Sequence, residues 1–440
     1  MLTTTLCRAG KSALKVGPIE VDPPVVLAPM AGITNAAFRQ LCREQVESRP
    51  AVLSQAGAGA PASASEASNG HRARRFSSAS DDEVGGFQRD SRERSEQSDT
   101  CAGLYVCEMI TSRGLVERDR KTLSMLQFDP RERIRSVQLY GVDPAIMAQA
   151  TEILCNEYGV HHVDLNFGCP VPKVTRKGGG AALPYKRDRL AMILTATVSA
   201  AAPYGIPVTI KTRIGIDHDH QTFLDAGRIA EESGCAAISL HGRTAQQAYA
   251  GNADWDAIGA LKAHVSIPVL GNGDIWEAAD ALRMVSETGV DGVVIGRGCL
   301  GRPWLFRDLA DAFAGRTTQT LPSLGEVMSV LRRHAELLVA RSDELHGLSD
   351  LRKHMAWYFK GFPVGGELRH HLGMVSSLGE LDSLLSQLDP DVSFPASELG
   401  SPRGRQGAPR AKVALPYGWL NDMSGRDLDL EAAELGISGG

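Results

Sequence analysis

The sequence predicts an α/β protein: a (β/α)8 TIM barrel followed by a small all-helical C-terminal domain. Three observations carry that expectation. Short apolar runs suited to strands alternate with amphipathic stretches from Val25 to Gly296. The runs are continuously apolar, as the strands of a buried parallel sheet are. Most of them end in polar or glycine residues, at the end of the strand where a barrel carries its chemistry. A doubly wound sheet would need a glycine-rich fingerprint after the first strand, and Pro29-Met30-Ala31-Gly32 is not one.

Composition bounds the rest. A chain of 440 residues can bury a large core and hold more than one domain. Its 43% hydrophobic and 22% charged content is that of a soluble globular protein. No apolar run approaches the roughly 20 residues of a membrane span, and Met1–Cys7 lacks the charged and apolar regions of a secretory signal. Eight cysteines without CxxC pairs or zinc spacing fit free thiols in a reducing cytoplasm and no bound metal. The net charge of −5 weighs against a nucleic-acid partner without deciding the matter, because a local basic face can sit on an acidic protein.

The barrel is expected over 16–320. Its first strand, Val25–Ala28, ends in the Pro29–Gly32 turn. Thr34 is placed to cap a helix over Ala36–Val46 with Phe38, Leu41 and Cys42 on one face. From about 47 to 100 Ser, Ala, Gly and Arg dominate and apolar periodicity vanishes. This reads as a disordered insertion. Its basic cluster Arg72–Arg75 is soon followed by Asp81–Glu83, which favours a solvated linker over a nucleic-acid arm. Further strands are expected at Leu104–Cys107, Ser136–Leu139, His162–Leu165, Pro207–Lys211, Ala237–His241, Pro268–Gly271 and Gly292–Gly296, with helices such as Pro144–Glu157, Asp188–Ala201, Gln221–Ser233 and Trp276–Glu287 between them. Helical spacing alone continues over 321–388, at Ser323–Ser342, Ser349–Lys360 and Ser377–Leu388, the last with Ser377 and Glu380 at capping-box distance. The 389–440 tail is rich in Pro, Gly, Ser and Arg and reads as mostly irregular. Pro416–Leu420 is the part suited to packing back on the body.

Function is concentrated at the strand ends. Val163-Asp164-Leu165-Asn166 runs into the corner Gly168-Cys169-Pro170 and then a basic, glycine-rich loop holding Lys173, Arg176 and Lys177. Proline fixes φ and removes a donor, so the strand stops and the thiol is presented on a stiffened turn. An isolated cysteine is more often a small buried hydrophobe, but Asn166, Gly168, Pro170 and the nearby cations favour chemistry here. Gln138, Lys211, His241 and Arg243 close other strands. Gln138 and His241 taken singly fit a satisfied core polar residue equally well. Asn272-Gly273-Asp274 after the seventh strand and Gly296-Arg297 after the eighth form the usual phosphate cradle of this fold, where backbone N–H groups hold a dianion. Lys211 reads either as a surface cation at a strand end or, favoured by its neighbours, as a charge that can neutralise a reduced flavin.

The run Ala28-Pro29-Met30-Ala31-Gly32-Ile33-Thr34-Asn35, the segment Asn166–Pro170 with Lys173-Val174 and Gly180–Leu183, and the motifs His241–Thr244, Asn272–Ile275, Ile295–Gly298 and Arg352–Tyr358 resemble the tRNA-dihydrouridine synthases, in their bacterial B-type branch. The resemblance covers roughly Val16 to Leu388 apart from the insertion. It implies an FMN-dependent oxidoreductase that reduces uridine to 5,6-dihydrouridine in the D-loop of tRNA with NADPH or NADH. A cytoplasmic location, from the free thiols, and a monomer are the accompanying expectations. By residue, the resemblance implies Pro29, Met30 and Ala31 along the flavin, with Gln138 and Lys211 on the isoalloxazine. Asn272, Gly273, Asp274, Gly296 and Arg297 would hold the phosphate, and Cys169 would be the general acid. Asn166 would touch flavin or uracil. His241 and Arg243 would lie near flavin or RNA phosphates, and Lys173 and Arg176 would face the tRNA. Arg332–His334, Arg352–His354 and Arg369–His371 form a candidate basic face on the helical domain. Two other readings are an FMN barrel acting on a free pyrimidine and an RNA-binding protein without catalysis. The cation-rich helical domain speaks against the first, and the intact Cys169, Lys211 and cradle against the second.

Overall fold

The computed structural model describes residues 13–47, 100–425 and 428. The expected insertion therefore lies, except at its edges, outside the described residues, as does the start of the lead-in. Eight parallel strands close into a barrel: Val25–Leu27, Leu104–Thr111, Ser136–Tyr140, His162–Phe167, Val208–Arg213, Ala237–His241, Val269–Asn272 and Gly292–Ile295. Each pairs with the next in chain order, and the eighth closes on the first. Helices expected at Pro144–Glu157 and near Arg187–Ala201, Phe223–Glu232 and Ala278–Thr288 form between them. Pro144 occupies the first turn of its helix, and Asp143 caps it through the amides of Ala145 and Ile146. Sequence reading did not single out Trp255–His264 or Leu305–Phe313, whose apolar faces are short. Among the described residues no helix is long and apolar enough to cross a membrane.

The lead-in contributes a hairpin, Leu14–Val16 with Ile19–Val21. Its buried side chains pack with Val26, Leu104, Val106, Leu270 and Val294, the inward residues of several strands, and plug the end of the barrel away from the strand termini. Above that plug the barrel interior is polar, which the apolar runs did not foretell. Inward side chains recur every second residue, so His162, Asp164 and Asn166 share one face, as do Thr209, Lys211 and Arg213. Register sets Gln138 beside Asp164, Asn166 beside Lys211, and His241 between Arg213 and Asn272. One level of the barrel thus gathers side chains from distant parts of the chain.

The first long helix, Ala36–Glu47, departs from the expectation in two ways. Asn35 rather than Thr34 caps it, accepting from the Phe38 amide. Thr34 instead closes the preceding turn, its hydroxyl accepting from the Met30 amide. The helix also buries two faces. Phe38, Cys42 and Val46 enter the barrel core, while Ala37 and Leu41 enter the core of the helical domain with Leu331, Leu338, Leu351 and Tyr358. Arg39 is consequently enclosed, and its guanidinium is satisfied by Glu132 at 2.7 Å and the Thr34 and Gln127 carbonyls.

The helical domain comprises Leu324–Val339, Glu344–Tyr358, Gly366–Leu372 and Leu378–Leu385. Ser323 and Glu326 make a capping box at its start. Ser377 caps the last helix, and Glu380 reaches back to the Ser376 amide. Part of the expected basic face is committed elsewhere, while Lys353, His370 and His371 stay exposed. His334 and His354 are buried between Phe38, Trp357 and Tyr358. Arg332 pairs with Asp382, Arg333 with Glu44, and Arg369 donates to the Phe359 and Phe362 carbonyls.

Burial pushes the His334 imidazole down to about 3. Below pH about 6.5 the unfolded chain therefore takes up a proton that the folded chain refuses, and stability falls as pH drops through that window. Substitution His334→Gln removes this term. Its destabilisation, read from urea unfolding at pH 7, should shrink by up to about 1.4 kcal/mol per pH unit between pH 6.5 and 4. A penalty independent of pH would mean that the imidazole is already charged in the fold.

Candidate active site

At the strand termini a cavity of about 370 Å³ opens, within the roughly 300–1,000 Å³ of cofactor pockets. Its walls bring together Pro29, Met30, Ala31, Gln138, Asn166, Cys169, Lys211, His241, Asn272, Gly273, Asp274, Gly296 and Arg297. Every residue expected at the cofactor, and the expected acid, therefore meets at one mouth. Lys173, Arg176 and Arg243 do not line it. The first two are exposed on the loop after Pro170.

The Cys169 corner is built from the fourth strand outward. The Asn166 carboxamide oxygen accepts from the Gly168 and Cys169 amides at 3.1 and 2.9 Å, which ends the strand in an Asx turn. Its other end donates to Gln138 Oε1 at 2.8 Å, and Gln138 Nε2 donates to Asp164 at 2.6 Å. Asp164 also accepts from Thr209, which stands 2.9 Å from His162 Nε2, and His162 Nδ1 lies 2.7 Å from Ser136. A chain of satisfied polar groups thus runs down the barrel axis and fixes Asn166 without mobile solvent-side partners. Arg213 braces the same corner by donating to the Gly168 carbonyl at 2.7 Å.

Electrostatics follow from burial. Lys211 is pushed down to about 8 by desolvation and then by Arg213, yet it remains mostly charged at neutral pH. It donates to Asn272 Oδ1 at 3.0 Å. Arg213 is lowered to about 10, first by burial. Burial raises the Cys169 thiol, against opposing pulls from the Val171 amide, Arg213, Arg410 and Lys211. The sulfur is thereby kept as a protonated thiol near pH 7. His241 is held far below its ordinary value by burial and the surrounding cations, so it is neutral.

The seventh and eighth strand ends make a cationic recess. Asp274 (φ 55°) and Gly273 (φ 125°) form a left-handed turn, and a side chain at Gly273 would meet Ala253 at 2.6 Å. Arg297 lies over Tyr249 and Trp276, 4.6 and 5.2 Å from the ring centroids. Among the charged groups lining the cavity, Lys211, Arg213, Arg297 and Arg405 face a single carboxylate, Asp274. That carboxylate is already engaged by Arg243 at 2.8 Å and by the Ala253 amide. Arg243 itself is 1% exposed and also donates to the Ala250 and Gly251 carbonyls, so the expected contact with substrate gives way to a role in holding Asp274. The recess retains positive charge that suits an anionic ligand. Tyr249, Trp276, Trp357 and Arg405 also line the cavity, and sequence reading missed them. None follows a strand end directly, and only Trp357, in the Arg352–Tyr358 motif, carried any signal.

The pattern of the dihydrouridine synthase family matches residues 26–391. A probable tRNA-dihydrouridine synthase of Mycobacterium tuberculosis is 51% identical over 411 residues, 93% of each chain. Its Mycobacterium leprae counterpart is 51% identical over 90% of this chain and 96% of its own. The tRNA-dihydrouridine synthase B of Pseudomonas aeruginosa is 35% identical over 81% and 90%. The cavity and these likenesses define a barrel oxidoreductase that makes dihydrouridine. The chain belongs to the dihydrouridine synthase family.

Substituting Asp274→Asn would leave Arg243 buried without a countercharge. Urea unfolding at pH 7 should register a loss of about 3 kcal/mol. A loss below about 0.5 kcal/mol would mean that the three carbonyl and amide partners alone sustain the turn.

Proposed function

We propose that this protein reduces uridine to 5,6-dihydrouridine in the D-loop of tRNA, with FMN as cofactor and NADPH or NADH as reductant. One observation carries the reading: a protonated thiol and a buried, charged Lys211 share the mouth of a cavity whose far end is a cationic recess. The donor set fits FMN. Asn272, Gly273, Asp274, Gly296 and Arg297 would receive the phosphate, Pro29, Met30 and Ala31 would wall the ring system, and Gln138 and Lys211 would meet its polar edge. Bound FMN, reduced by NADPH or NADH, would supply a hydride for uracil C6.

The side chains of this chain account for the remaining steps. Lys211 offsets negative charge on the cofactor, and the neutral His241 beside it adds no further positive charge. Addition of hydride at C6 leaves electron density at C5 conjugated to the C4 carbonyl. Cys169 gives its S–H proton to C5 from the opposite face, so the C5=C6 bond gains one hydride and one proton. A thiol raised by burial holds that proton at neutral pH. Asn166 fixes the Cys169 backbone and forms part of the wall that the flavin and the incoming base would meet. The target base must leave its stack to reach this depth, which loop RNA makes easier. Lys173 and Arg176, exposed outside the cavity, would meet tRNA phosphates.

Two measurements test this reading. Cys169→Ala should retain its flavin and its reduction by NADPH, while reoxidation of the reduced flavin by unmodified tRNA in a single turnover slows by about 10²–10⁴-fold. Equal reoxidation rates in wild type, Cys169→Ala and Cys169→Ser would remove the thiol from the chemistry. Arg297→Ala should purify with substoichiometric flavin and rebind FMN at least about tenfold more weakly, as the loss of one charge-assisted contact implies. A wild-type protein that is colourless and cannot be reconstituted with FMN would refute the assignment.

A further inference from the structure

The family match ends at residue 391, yet the chain beyond it returns to the active-site mouth. The segment leaves the helical domain with Lys360 Nζ donating to Ser401 Oγ at 2.6 Å and the Pro402 carbonyl at 3.0 Å. Arg403, 2% exposed, donates to the Leu300 and Trp357 carbonyls. Gly404 and Arg405 then form part of the cavity wall, and the Arg405 carbonyl accepts from Arg297 Nη1 at 2.7 Å. Across the mouth, the Arg410 amide donates to the Gln246 carbonyl at 2.9 Å and Gln246 Nε2 donates to Ala411 at 3.2 Å. The Arg410 guanidinium donates to the carbonyl of Pro170, the residue after Cys169. Farther on, Trp419 Nε1 donates to the Ala182 carbonyl at 3.1 Å, and the indole fills the space beside Gly178, where any side chain would collide with it. The Arg187 amide donates to the Met423 carbonyl, and Arg189 ends the run by donating to the Ser424 and Gly425 carbonyls.

These contacts converge on the Cys169 loop. Asn166 and Arg213 hold that loop from inside the barrel, and the Ala181 amide donates to the Cys169 carbonyl at 3.0 Å. Among the described residues the Pro170 carbonyl accepts from Arg410 of the tail, and Ala181 and Ala182 pack between Ile216 and Ala245 on the barrel side and Val413 and Trp419 of the tail. We propose that residues 401–425 are a strap that completes the active site, in which Arg410 is a positioning residue for Cys169. The proposal rests on the assigned reaction for its kinetic consequence. Its physical content is that Pro170, and with it the direction of the thiol, is fixed from outside by a guanidinium on a segment beyond the family match. Proton transfer to C5 is sensitive to such aim, since a misplacement of about 1 Å can cost on the order of 10²-fold in rate. Hydride transfer from NADPH into the cofactor does not use the thiol and is insensitive to it.

The test compares full-length wild type, Arg410→Ala and Arg410→Lys. Flavin content and reduction by NADPH should be the same in all three. Reoxidation by saturating unmodified tRNA should slow by about 10–100-fold in Arg410→Ala, with the tRNA concentration at half-saturation changed by less than about twofold, and Arg410→Lys should recover most of the rate. Without tRNA, amide hydrogen exchange in the peptide spanning 166–183 should be faster in Arg410→Ala only. Unchanged rates and exchange would overturn the proposal. So would weaker tRNA binding at an unchanged limiting rate, which would make Arg410 a phosphate contact, or loss of flavin, which would make the strap an element of the fold. If tRNA fails to reoxidise the wild-type flavin, the assigned reaction fails, and the exchange comparison still decides whether Arg410 holds the loop.

Discussion

Burial of positive charge at the barrel mouth is the constraint on which the site depends. Lys211, Arg213 and Arg243 are drawn inside by strands that would otherwise present them to water, and Arg297 is partly enclosed beside them. Desolvating a cation is unfavourable unless it gains partners. Arg243 gains Asp274, and Arg213 gains three backbone carbonyls. Lys211 hydrogen-bonds the neutral Asn272 oxygen, and burial pushes it down despite the pull of Asp164. The remaining positive charge is the property a bound phosphate and a reduced flavin would satisfy.

The same field governs the thiol. Cations alone would draw Cys169 toward the thiolate, the form a nucleophile needs. Burial outweighs them and keeps the proton on sulfur, the form a general acid needs. The corner that sets this burial is held by the Asn166 carboxamide, which in turn depends on Gln138 and Asp164 beneath it. A polar chain inside the barrel therefore serves the chemistry above it, at the level where an ordinary barrel would carry apolar layers.

The helical domain bears on this site less through surface charge than through shape. Part of its expected basic face is taken up by the ion pairs of Arg332 and Arg333 and by burial of His334 and His354 against the first long helix. What it brings to the mouth is Trp357 and the anchorage of the tail through Lys360 and Trp357. Under the proposed reaction, net acidity and RNA chemistry would be reconciled locally, with cations gathered at the strand ends and on the loop after Pro170.

The sequence by itself determined the barrel, its strand order and the part of the cavity wall expected at the cofactor. Apolar runs, strand-end polarity and proline punctuation are local signals, and a closed parallel barrel converts them into position with little freedom. Pro29–Ala31, Gln138, Asn166, Cys169, Lys211, His241, Asn272–Asp274, Gly296 and Arg297 consequently meet where expected. Only the tertiary structure decided the rest. Arg243 and Asp274 are neighbours across two loops, so no spacing reveals that the guanidinium is an internal counterion rather than a substrate contact. Leu41 and Phe38 share a helix but enter different cores, because a second domain covers what would otherwise be the solvent face. The tail has the composition of an irregular segment and forms little regular structure. Its order comes from long-range bonds such as those from Arg403 to Trp357 and from Trp419 to Ala182, whose partners lie tens to hundreds of residues away and leave no periodic trace in the chain.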